Sequence, residues 1–148
     1  MDRFKYYIVL GAANDPYLLL SMVIKSIQKQ FNVVASSKFY YGPAEGPNSL
    51  YSHFMNVAIL IEDDAPFDSI KQSIQKFETY NSNLEKLVDI DLLIQTNNDD
   101  LLFISNKIKY CHALVTLNDL CPNLKISDQM IHQKLKNQNQ RLNFKAVS

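Results

Sequence analysis

Residues 87–95 read LVDIDLLIQ, and this stretch decides the fold of the chain. Its aliphatic and β-branched residues predict a strand, and the apolar residues on both sides of the acids indicate an interior position in a sheet. Successive side chains of a strand point to opposite faces, so Asp89 and Asp91 emerge together while Val88 and Ile90 face the other way. The stretch therefore predicts both an interior strand and a pair of neighbouring carboxylates.

Two carboxylates held this close repel each other, and each tends to stay protonated unless a cation lies between them. Mg²⁺ takes oxygen ligands and is usually bound by one or two carboxylates together with substrate phosphates. We therefore expect Asp89 and Asp91 to be metal ligands. The alternative is an edge strand with two solvated aspartates on its exposed face, and the apolar flanks of the strand argue against it.

Hydrophobic periodicity and turn residues divide the rest of the chain. We predict strands at 5–10, 32–41, 53–62 and 101–104, helices at 17–30, 66–80, 116–120 and 127–137, and a long loop at 42–50. A polar tail from about Gln138 is expected to fray. The order up to residue 95 is β-α-β-β-α-β, which predicts an α+β ferredoxin-like sandwich with its helices on one face and with C-terminal additions. Residues 1–148 are expected to form one domain.

The charge balance limits the classes of partner. The 148 residues contain 15 Lys and Arg against 15 Asp and Glu, whereas nucleic acids and anionic membranes select a basic face. We therefore expect neither of these partners. No signal-like segment and no apolar run near ~20 residues is present, so we expect a cytoplasmic location. Only Arg3 and Arg141 are arginines, so the phosphate-binding groups between them are lysines, which act as point charges.

A second group of candidate residues follows the 42–50 loop. Phe54 and Asn56 share one face of the strand at 53–62. An Asn side chain reads the edge of a flat heterocycle with one donor and one acceptor, and an aromatic ring beside it stacks on such a ligand. The alternative is aromatic core packing with a buried capping Asn, so these two residues alone leave ligand binding open.

Six segments, in the same order over residues 5–126, together resemble hydroxymethyldihydropterin pyrophosphokinase of folate synthesis. They are YIVLGAANDP at 7–16, SKFYYGPAEGP at 37–47, HFMNVAILIE at 53–62, IQKFE at 74–78, VDIDLLI at 88–94 and ALVTLNDLCPNL at 113–124. The resemblance agrees with the fold predicted above. It implies transfer of pyrophosphate from ATP to the hydroxymethyl group of a dihydropterin, with two Mg²⁺ ions as cofactors.

The resemblance also implies roles for individual residues. Asp89 and Asp91 would bind the metal ions, which bridge the ATP phosphates. Asn56 would read the pterin edge, and His112 falls where the family has an aromatic residue that stacks on the pterin. The pterin side as a whole would comprise Gly42, Pro43, Glu45, Phe54, Asn56 and His112. The nucleotide side would include Gln75 and Glu78.

Several positions depart from the family pattern. Residues 79–88 are only ten residues without arginine or tryptophan, where the family has a long catalytic loop containing both. The histidine and arginine that hold phosphates in the family fall near Ile104 and Tyr110, and Glu45 replaces a leucine of the pterin loop. The basic residues that would contact phosphates in their place are Lys86, Lys107 and Lys109.

Two functions are therefore open. The first is a divergent pyrophosphokinase that uses lysines where the family uses arginines. The second is a catalytically inactive relative that binds a pterin or a nucleotide, or interacts with other folate enzymes. The arginine-free segment 79–88 favours the second function, whereas the aspartate pair and Asn56 favour the first. An unrelated ferredoxin-like module with coincidental matches is a third, less favoured interpretation.

Overall fold

A computed structural model describes residues 3–46, 51–98 and 100–147. The strands are β1 (Phe4–Ala12), β2 (Asn32–Ser36), β3 (Phe39–Pro43), β4 (His53–Asp63), β5 (Thr79–Tyr80), β6 (Lys86–Asn97), β7 (Asp100–Ile104), β8 (Lys125–Ile126), β9 (Gln129–Met130) and β10 (Lys145–Val147). The helices are α1 (Pro16–Gln30), α2 (Phe67–Gln75), α3 (Cys111–Leu120) and α4 (Ile131–Lys136), with 3-10 turns at Asn106–Lys109 and Asn139–Asn143. Residues 47–50 of the predicted loop lie outside the described residues.

Eight strands form one antiparallel sheet in the order β10-β3-β4-β1-β6-β5, with β2 also paired to β4 and β7 also paired to β6. β1 pairs with β4 on one side and with β6 on the other over residues 4–12. The central order β3-β4-β1-β6, with α1 and α2 between strands, is the predicted ferredoxin-like α+β fold. β6 is interior as expected at its two ends, where β5 pairs with Lys86 and Val88 and β7 pairs with residues 94–97.

Helices cover both faces of this sheet. α1 and α2 pack on one face through side chains at helical spacing, among them Leu20, Ile27 and Ile70. The C-terminal helices α3 and α4 pack on the opposite face. The expectation of helices on one face is therefore correct only for the βαββαβ core. The second layer is required because β1 presents apolar side chains to both faces, Ile8 to one and Val9 to the other. None of the helices in the described ranges has the length and apolarity to span a membrane.

The predicted strand 32–41 is in fact two strands, β2 and β3, which both pair with β4. The break falls at Ser37, whose hydroxyl accepts a hydrogen bond from the N–H of Ala58 at 2.8 Å. The Ser37 N–H donates to the Ala58 carbonyl at 2.8 Å. Because a side-chain oxygen takes the place of a backbone carbonyl in the ladder, regular pairing stops at this residue.

Helix α2 ends at Gln75, before the predicted boundary at residue 80. The segment that follows is held by the sheet instead. The carboxylate of Glu78 accepts the N–H of Ile90 at 3.1 Å, and Thr79–Tyr80 pair with β6 as strand β5. Sheet pairing therefore overrides the helical periodicity of Phe77 and its neighbours.

The C-terminal helices also differ from their predicted bounds. α3 begins at Cys111, ahead of the predicted 116–120. α4 covers only Ile131–Lys136 of the predicted 127–137. Ser127 has a φ of +55° in the turn of the β8–β9 hairpin, and this left-handed conformation excludes Ser127 from a right-handed helix.

The tail that was expected to fray is paired and packed. β10 pairs with β3, and Phe144 just before it is only 6% exposed. Phe144 lies against Gly42 so closely that a Cβ at Gly42 would overlap its ring. One buried aromatic side chain therefore anchors a segment whose composition is otherwise polar.

We predict that Phe144→Ala lowers the free energy of unfolding by about 3 kcal/mol, because it removes a buried ring and leaves a cavity over β3. Leu142→Ala is the matched control, since Leu142 lies in the same tail with 67% of its surface exposed. That control is expected to change stability by less than about 0.5 kcal/mol. Urea denaturation followed by circular dichroism measures both values, and equal effects of the two variants would contradict the anchoring role.

Candidate functional site

The register of three neighbouring strands brings predicted site residues into one row. Gly11 of β1 lies opposite Asn56 of β4 on one side and opposite Asp89 of β6 on the other. A Cβ at position 11 would lie 2.8 Å from Oδ1 of Asn56, so glycine leaves space for the Asn56 amide. The predicted pterin side and the predicted metal side are therefore separated by a single residue without a side chain.

This row forms the floor of a cavity of about 190 Å³. Its walls contain most of the predicted pterin and metal residues, namely Pro43, Glu45, Phe54, Asn56, Asp89, Asp91 and His112, together with Val9, Gly11 and Ala44. Sites for drug-sized ligands span roughly 300–1,000 Å³, so a small bicyclic ligand fits this volume better than a larger one. Gly42 does not line the cavity. It pairs with Phe54 across the β3–β4 ladder and faces Phe144.

Each aspartate of the pair forms an ion pair with a lysine. Lys86 Nζ lies 3.2 Å from Asp89 Oδ1, and Lys107 Nζ lies 2.7 Å from Asp91 Oδ1. Lys86 also contacts Glu78 Oε2 at 3.1 Å. The 3-10 turn after β7 supplies Lys107, and the first residue of β6 supplies Lys86. The cation that the sequence requires beside this pair is therefore provided, in part, by the chain itself.

The pKa values of the two carboxylates shift in opposite directions. Burial alone would raise the pKa of Asp89, but the charge and hydrogen bonds of Lys86 and the contact with Glu78 outweigh it, so the pKa of Asp89 lies below its usual value. Burial, followed by the negative charge of Asp89, raises the pKa of Asp91 even though Lys107 opposes the shift. The hydrogen bond to Asp91 in turn raises the pKa of Lys107.

A second cavity, of about 200 Å³, lies on the other side of Asp91. Gln75 lines it, as expected for a nucleotide side, whereas Glu78 contacts Lys86 and the backbone of β6 instead. The remaining wall residues were not predicted from the sequence as ligand contacts; they are Phe67, Lys71, Ile74, Ile90, Leu92, Phe103 and Ser105. Asp91 and Lys107 belong to this wall as well, and Asp91 lines both cavities.

The phenyl rings of Phe67 and Phe103 meet at 4.4 Å between centroids, and Lys71 Nζ lies 5.9 Å from the Phe67 ring. These residues come from α2 and β7, so only the tertiary fold brings them together. The sequence contains one indication of this cavity, the apolar stripe of α2 that includes Phe67. The same stripe is equally consistent with Phe67 as a core residue.

Lys109 stands apart from the other two predicted phosphate contacts. Its Nζ lies 5.3 Å from the centroid of the Tyr110 ring. Over residues 3–46, 51–98 and 100–147, Lys109 makes no ion pair with a carboxylate. The structure therefore brings Lys86 and Lys107 to the aspartates and does not bring Lys109 there.

Glu45 and His112 meet in the wall of the first cavity. Glu45 Oε1 lies 2.9 Å from His112 Nδ1 and accepts the backbone N–H of His112 at 2.7 Å, while Oε2 accepts the N–H of Cys111 at 2.9 Å. The Glu45 carboxylate thus binds the first turn of α3. Burial opposes ionisation, but these hydrogen bonds outweigh it and hold the pKa of Glu45 below its usual value.

The donor set of Asp89 and Asp91 fits a hard divalent cation that brings other ligands with it. Both residues offer carboxylate oxygens, and after burial it is the negative charge of Asp89 that raises the pKa of Asp91, a repulsion that a bound cation would relieve. In the part of the chain that the structure describes, no three or more His, Cys, Asp or Glu side chains are grouped for metal binding. Mg²⁺ would therefore depend on phosphate oxygens of a bound nucleotide.

No protein-family model and no curated protein matches this sequence. Solved structures of Plasmodium falciparum HPPK-DHPS match its fold, where HPPK is the pyrophosphokinase family that the sequence segments resemble. A mutant with pterin and p-hydroxybenzoate has a TM-score of 0.73 and 14% identity, over 99% of this chain and 47% of its own. A triple mutant with pteroate has a TM-score of 0.74 and 13% identity, and the match covers 99% of this chain and 45% of the mutant chain. The wild type has a TM-score of 0.72 and 12% identity, and the match covers 99% of this chain and 44% of the wild-type chain.

The chain spans less than half the length of these HPPK-DHPS chains. It has an HPPK-like fold over nearly all of its own length, so the predicted fold is confirmed. At this level of identity the likeness establishes the fold, and the chemistry must be argued from the site.

We predict that Lys107→Met raises the pKa of Asp91 further, because it removes the ammonium group 2.7 Å from the carboxylate. Asp91 would then take up its proton at a higher pH than in the unaltered protein. Carboxyl-resolved NMR titration measures the shift. Lys109→Met is the control and is expected to leave the Asp91 titration unchanged; a shift of similar size in both variants would contradict the assigned contact.

We also predict that the contribution of Glu45 to stability depends on pH. Its folded-state pKa lies below the ordinary 4.5, so the stabilisation is present above that value and is lost as the pH falls through the folded-state pKa. Glu45→Gln is therefore expected to lower stability by about 1 kcal/mol at neutral pH. The difference is expected to shrink below pH 4. Urea midpoints at pH 7 and pH 3 test this, and a constant difference would contradict it.

Proposed function

We propose that the chain is a divergent pyrophosphokinase that transfers pyrophosphate from ATP to the hydroxymethyl group of a dihydropterin. One observation carries this proposal. A single cavity contains both Asn56 and Phe54, which suit a flat heterocycle, and Asp89 and Asp91, which suit a metal-bound phosphate. A pterin bound beside Asn56 and Phe54 would have its hydroxymethyl group directed toward Asp89 and Asp91.

Recognition of the pterin would rest on the residues of β4 and of the β3–β4 connection. The Asn56 amide, held in place beside Gly11, offers one donor and one acceptor to the pterin edge. The Phe54 ring offers a stacking surface. The backbone of residues 43–45 closes the wall beside them. A ligand of this kind fits the small volume of the cavity.

The nucleotide would lie on the side of Asp91 and the second cavity, where Gln75, Phe67 and Phe103 form the wall. Asp89 and Asp91 would hold Mg²⁺, which on binding supplies charge neutralisation to the ATP phosphates. Lys86 and Lys107 would turn from the carboxylates toward these phosphates. Both are partly exposed, with 41% and 50% of their side chains accessible, and so have space to move.

The second candidate function is a catalytically inactive relative that binds a pterin or a nucleotide, or interacts with other folate enzymes. It is favoured by the contacts of the two lysines, which already neutralise much of the aspartate pair. Positioned cations supply most of the catalysis in phosphoryl transfer, and removing one oxyanion-type donor costs about 2.7–4 kcal/mol. Two lysine point charges in place of several arginines thus favour binding without rapid turnover. A cytoplasmic location and a one-domain organisation remain predictions from the sequence.

We predict that a non-hydrolysable ATP analogue binds in the presence of Mg²⁺ and that Asp89→Asn or Asp91→Asn weakens this binding at least tenfold, or about 1.4 kcal/mol. The reason is that each variant removes one of two carboxylate ligands. Calorimetry measures the affinity, and fluorescence quenching measures binding of 6-hydroxymethylpterin. Asp128→Asn, in the exposed β8–β9 turn, is the matched control and is expected to bind normally.

AMP release from ATP and 6-hydroxymethyl-7,8-dihydropterin then decides between the two functions. AMP formation that disappears in the Asp91→Asn variant supports the enzyme. Binding of both ligands without AMP formation supports the inactive relative. If neither ligand binds, both the enzyme and the ligand-binding relative are excluded.

A further inference from the structure

The proposed ligand contacts do not use the hydrogen bond between the Glu45 carboxylate and the His112 imidazole. The two residues lie 67 positions apart in the sequence and meet in the wall of the first cavity. Their side chains are largely shielded from solvent, with 13% of Glu45 and 20% of His112 accessible. A carboxylate–imidazole pair in the wall of a ligand cavity is an arrangement that accepts and holds a proton.

The Glu45 carboxylate has no freedom to leave this contact. Three N–H groups point at it, from the backbone of Cys111, the backbone of His112 and the imidazole Nδ1. An ionised carboxylate only accepts hydrogen bonds, so Nδ1 must carry the hydrogen. The neutral ring therefore has its lone pair on Nε2.

The orientation of the ring is fixed from a second direction. The His112 imidazole stacks on the Tyr110 ring with 5.6 Å between centroids and 14° between planes. Turning the ring out of its plane would break the stacking, and a half-turn within that plane would break the hydrogen bond from Nδ1 to Glu45. Nε2 of His112 makes no hydrogen bond to any residue that the structure describes. It is thus an oriented acceptor without a partner, on a ring that lines the same cavity as Asp89 and Asp91.

The other titratable groups of the cavity wall are engaged. Asp89 and Asp91 hold Lys86 and Lys107, and Glu45 holds three N–H donors. The titratable groups in contact with His112 are Glu45 on the β3–β4 connection and Tyr110 behind the ring, with Cys111 beside it in the chain, and Asp89 and Asp91 line the same cavity. Lys109 lies against the Tyr110 ring rather than against the imidazole.

We propose that Nε2 of His112 accepts the hydroxyl proton of the bound substrate and that Glu45 is the positioning residue for this transfer. The inference rests on the proposed pyrophosphokinase function. The substrate oxygen forms its bond to the β-phosphorus of ATP while the bond from that phosphorus to the oxygen of the α-phosphate breaks. AMP leaves with the electron pair of that bond. The hydroxyl proton moves to Nε2, and the Glu45 carboxylate stabilises the imidazolium that results.

Two substitutions at position 112 test the proton transfer. His112→Phe keeps a ring for stacking on the ligand, and His112→Gln keeps a polar side chain that takes up no proton. Both are expected to slow the first turnover of AMP formation by about 10²–10⁴-fold. The dissociation constant of 6-hydroxymethylpterin is expected to change less than threefold in His112→Phe, which keeps the ring. Rapid quench measures the first turnover directly, because slow product release would hide a change in kcat. His132→Gln, on the exposed surface of α4, is the control and is expected to react normally.

A double-mutant cycle tests the positioning role. Glu45→Gln is expected to slow the first turnover in the unaltered protein and to have no further effect in the His112→Phe variant, because Glu45 acts through His112. Equal effects in both backgrounds would overturn the positioning role, since a purely structural contribution of Glu45 adds in both. Thermal melts confirm that each variant is folded.

The outcomes separate this inference from the proposed function. If the unaltered protein forms AMP and both variants at position 112 react within threefold of its rate, the inference is wrong and the proposed function stands. If the unaltered protein forms no AMP, the proposed enzyme function fails, and the proton transfer fails with it. Slow first turnover in both variants, with unchanged pterin affinity in His112→Phe, supports the inference.

Discussion

Asp89 and Asp91 emerge from the same face of β6, and the repulsion between their charges constrains the structure around them. Two like charges on the same face of one strand repel each other, so the pair requires compensation nearby. The chain supplies it from two directions, with Lys86 at the start of β6 and Lys107 in the turn after β7. The β6–β7 hairpin and the short connection before β6 are therefore parts of the site as well as of the sheet.

The compensation is incomplete, and the remainder has a consequence for ligand binding. Glu78, Asp89 and Asp91 contribute three carboxylates, against the two ammonium groups of Lys86 and Lys107. If all are charged, the cluster has a formal charge of −1. Such a cluster repels a bare polyphosphate and attracts a divalent cation. A nucleotide would therefore be expected to enter together with its metal, which then leaves the two lysines free to contact phosphate oxygens.

Local patterns were sufficient to predict the core of the fold and one part of the site. The two-residue period of a strand placed Asp89 and Asp91 on one face, and the same period placed Phe54 and Asn56 together. These predictions succeed because a strand fixes the direction of each side chain without knowledge of its neighbours. Register across strands was not predictable, so the row through Gly11 became visible only in the structure.

Errors arose where a single long-range contact overrides a local preference. The hydroxyl of Ser37 interrupts a strand by binding Ala58, and Phe144 orders a polar tail by packing on Gly42. The second cavity depends on Phe67 and Phe103, whose rings meet only after α2 and β7 dock on the sheet. In each of these cases composition and periodicity describe the segment correctly, but the partner that decides its conformation lies elsewhere in the sequence.

Glu45 and His112 illustrate the same limit at the site, and they change how departures from a family pattern are interpreted. Considered singly, an acid in place of a leucine and an imidazole in place of an aromatic ring are both losses. In the structure each residue requires the other. A leucine at position 45 would leave the N–H groups of Cys111 and His112 without their acceptor, and a phenyl ring at position 112 would deprive a half-buried carboxylate of its imidazole partner. Each unsatisfied group costs about 1–3 kcal/mol, so either change alone is destabilising, whereas the two together are compatible. Glu45 and His112 therefore hold each other in a specific arrangement in the wall of the cavity.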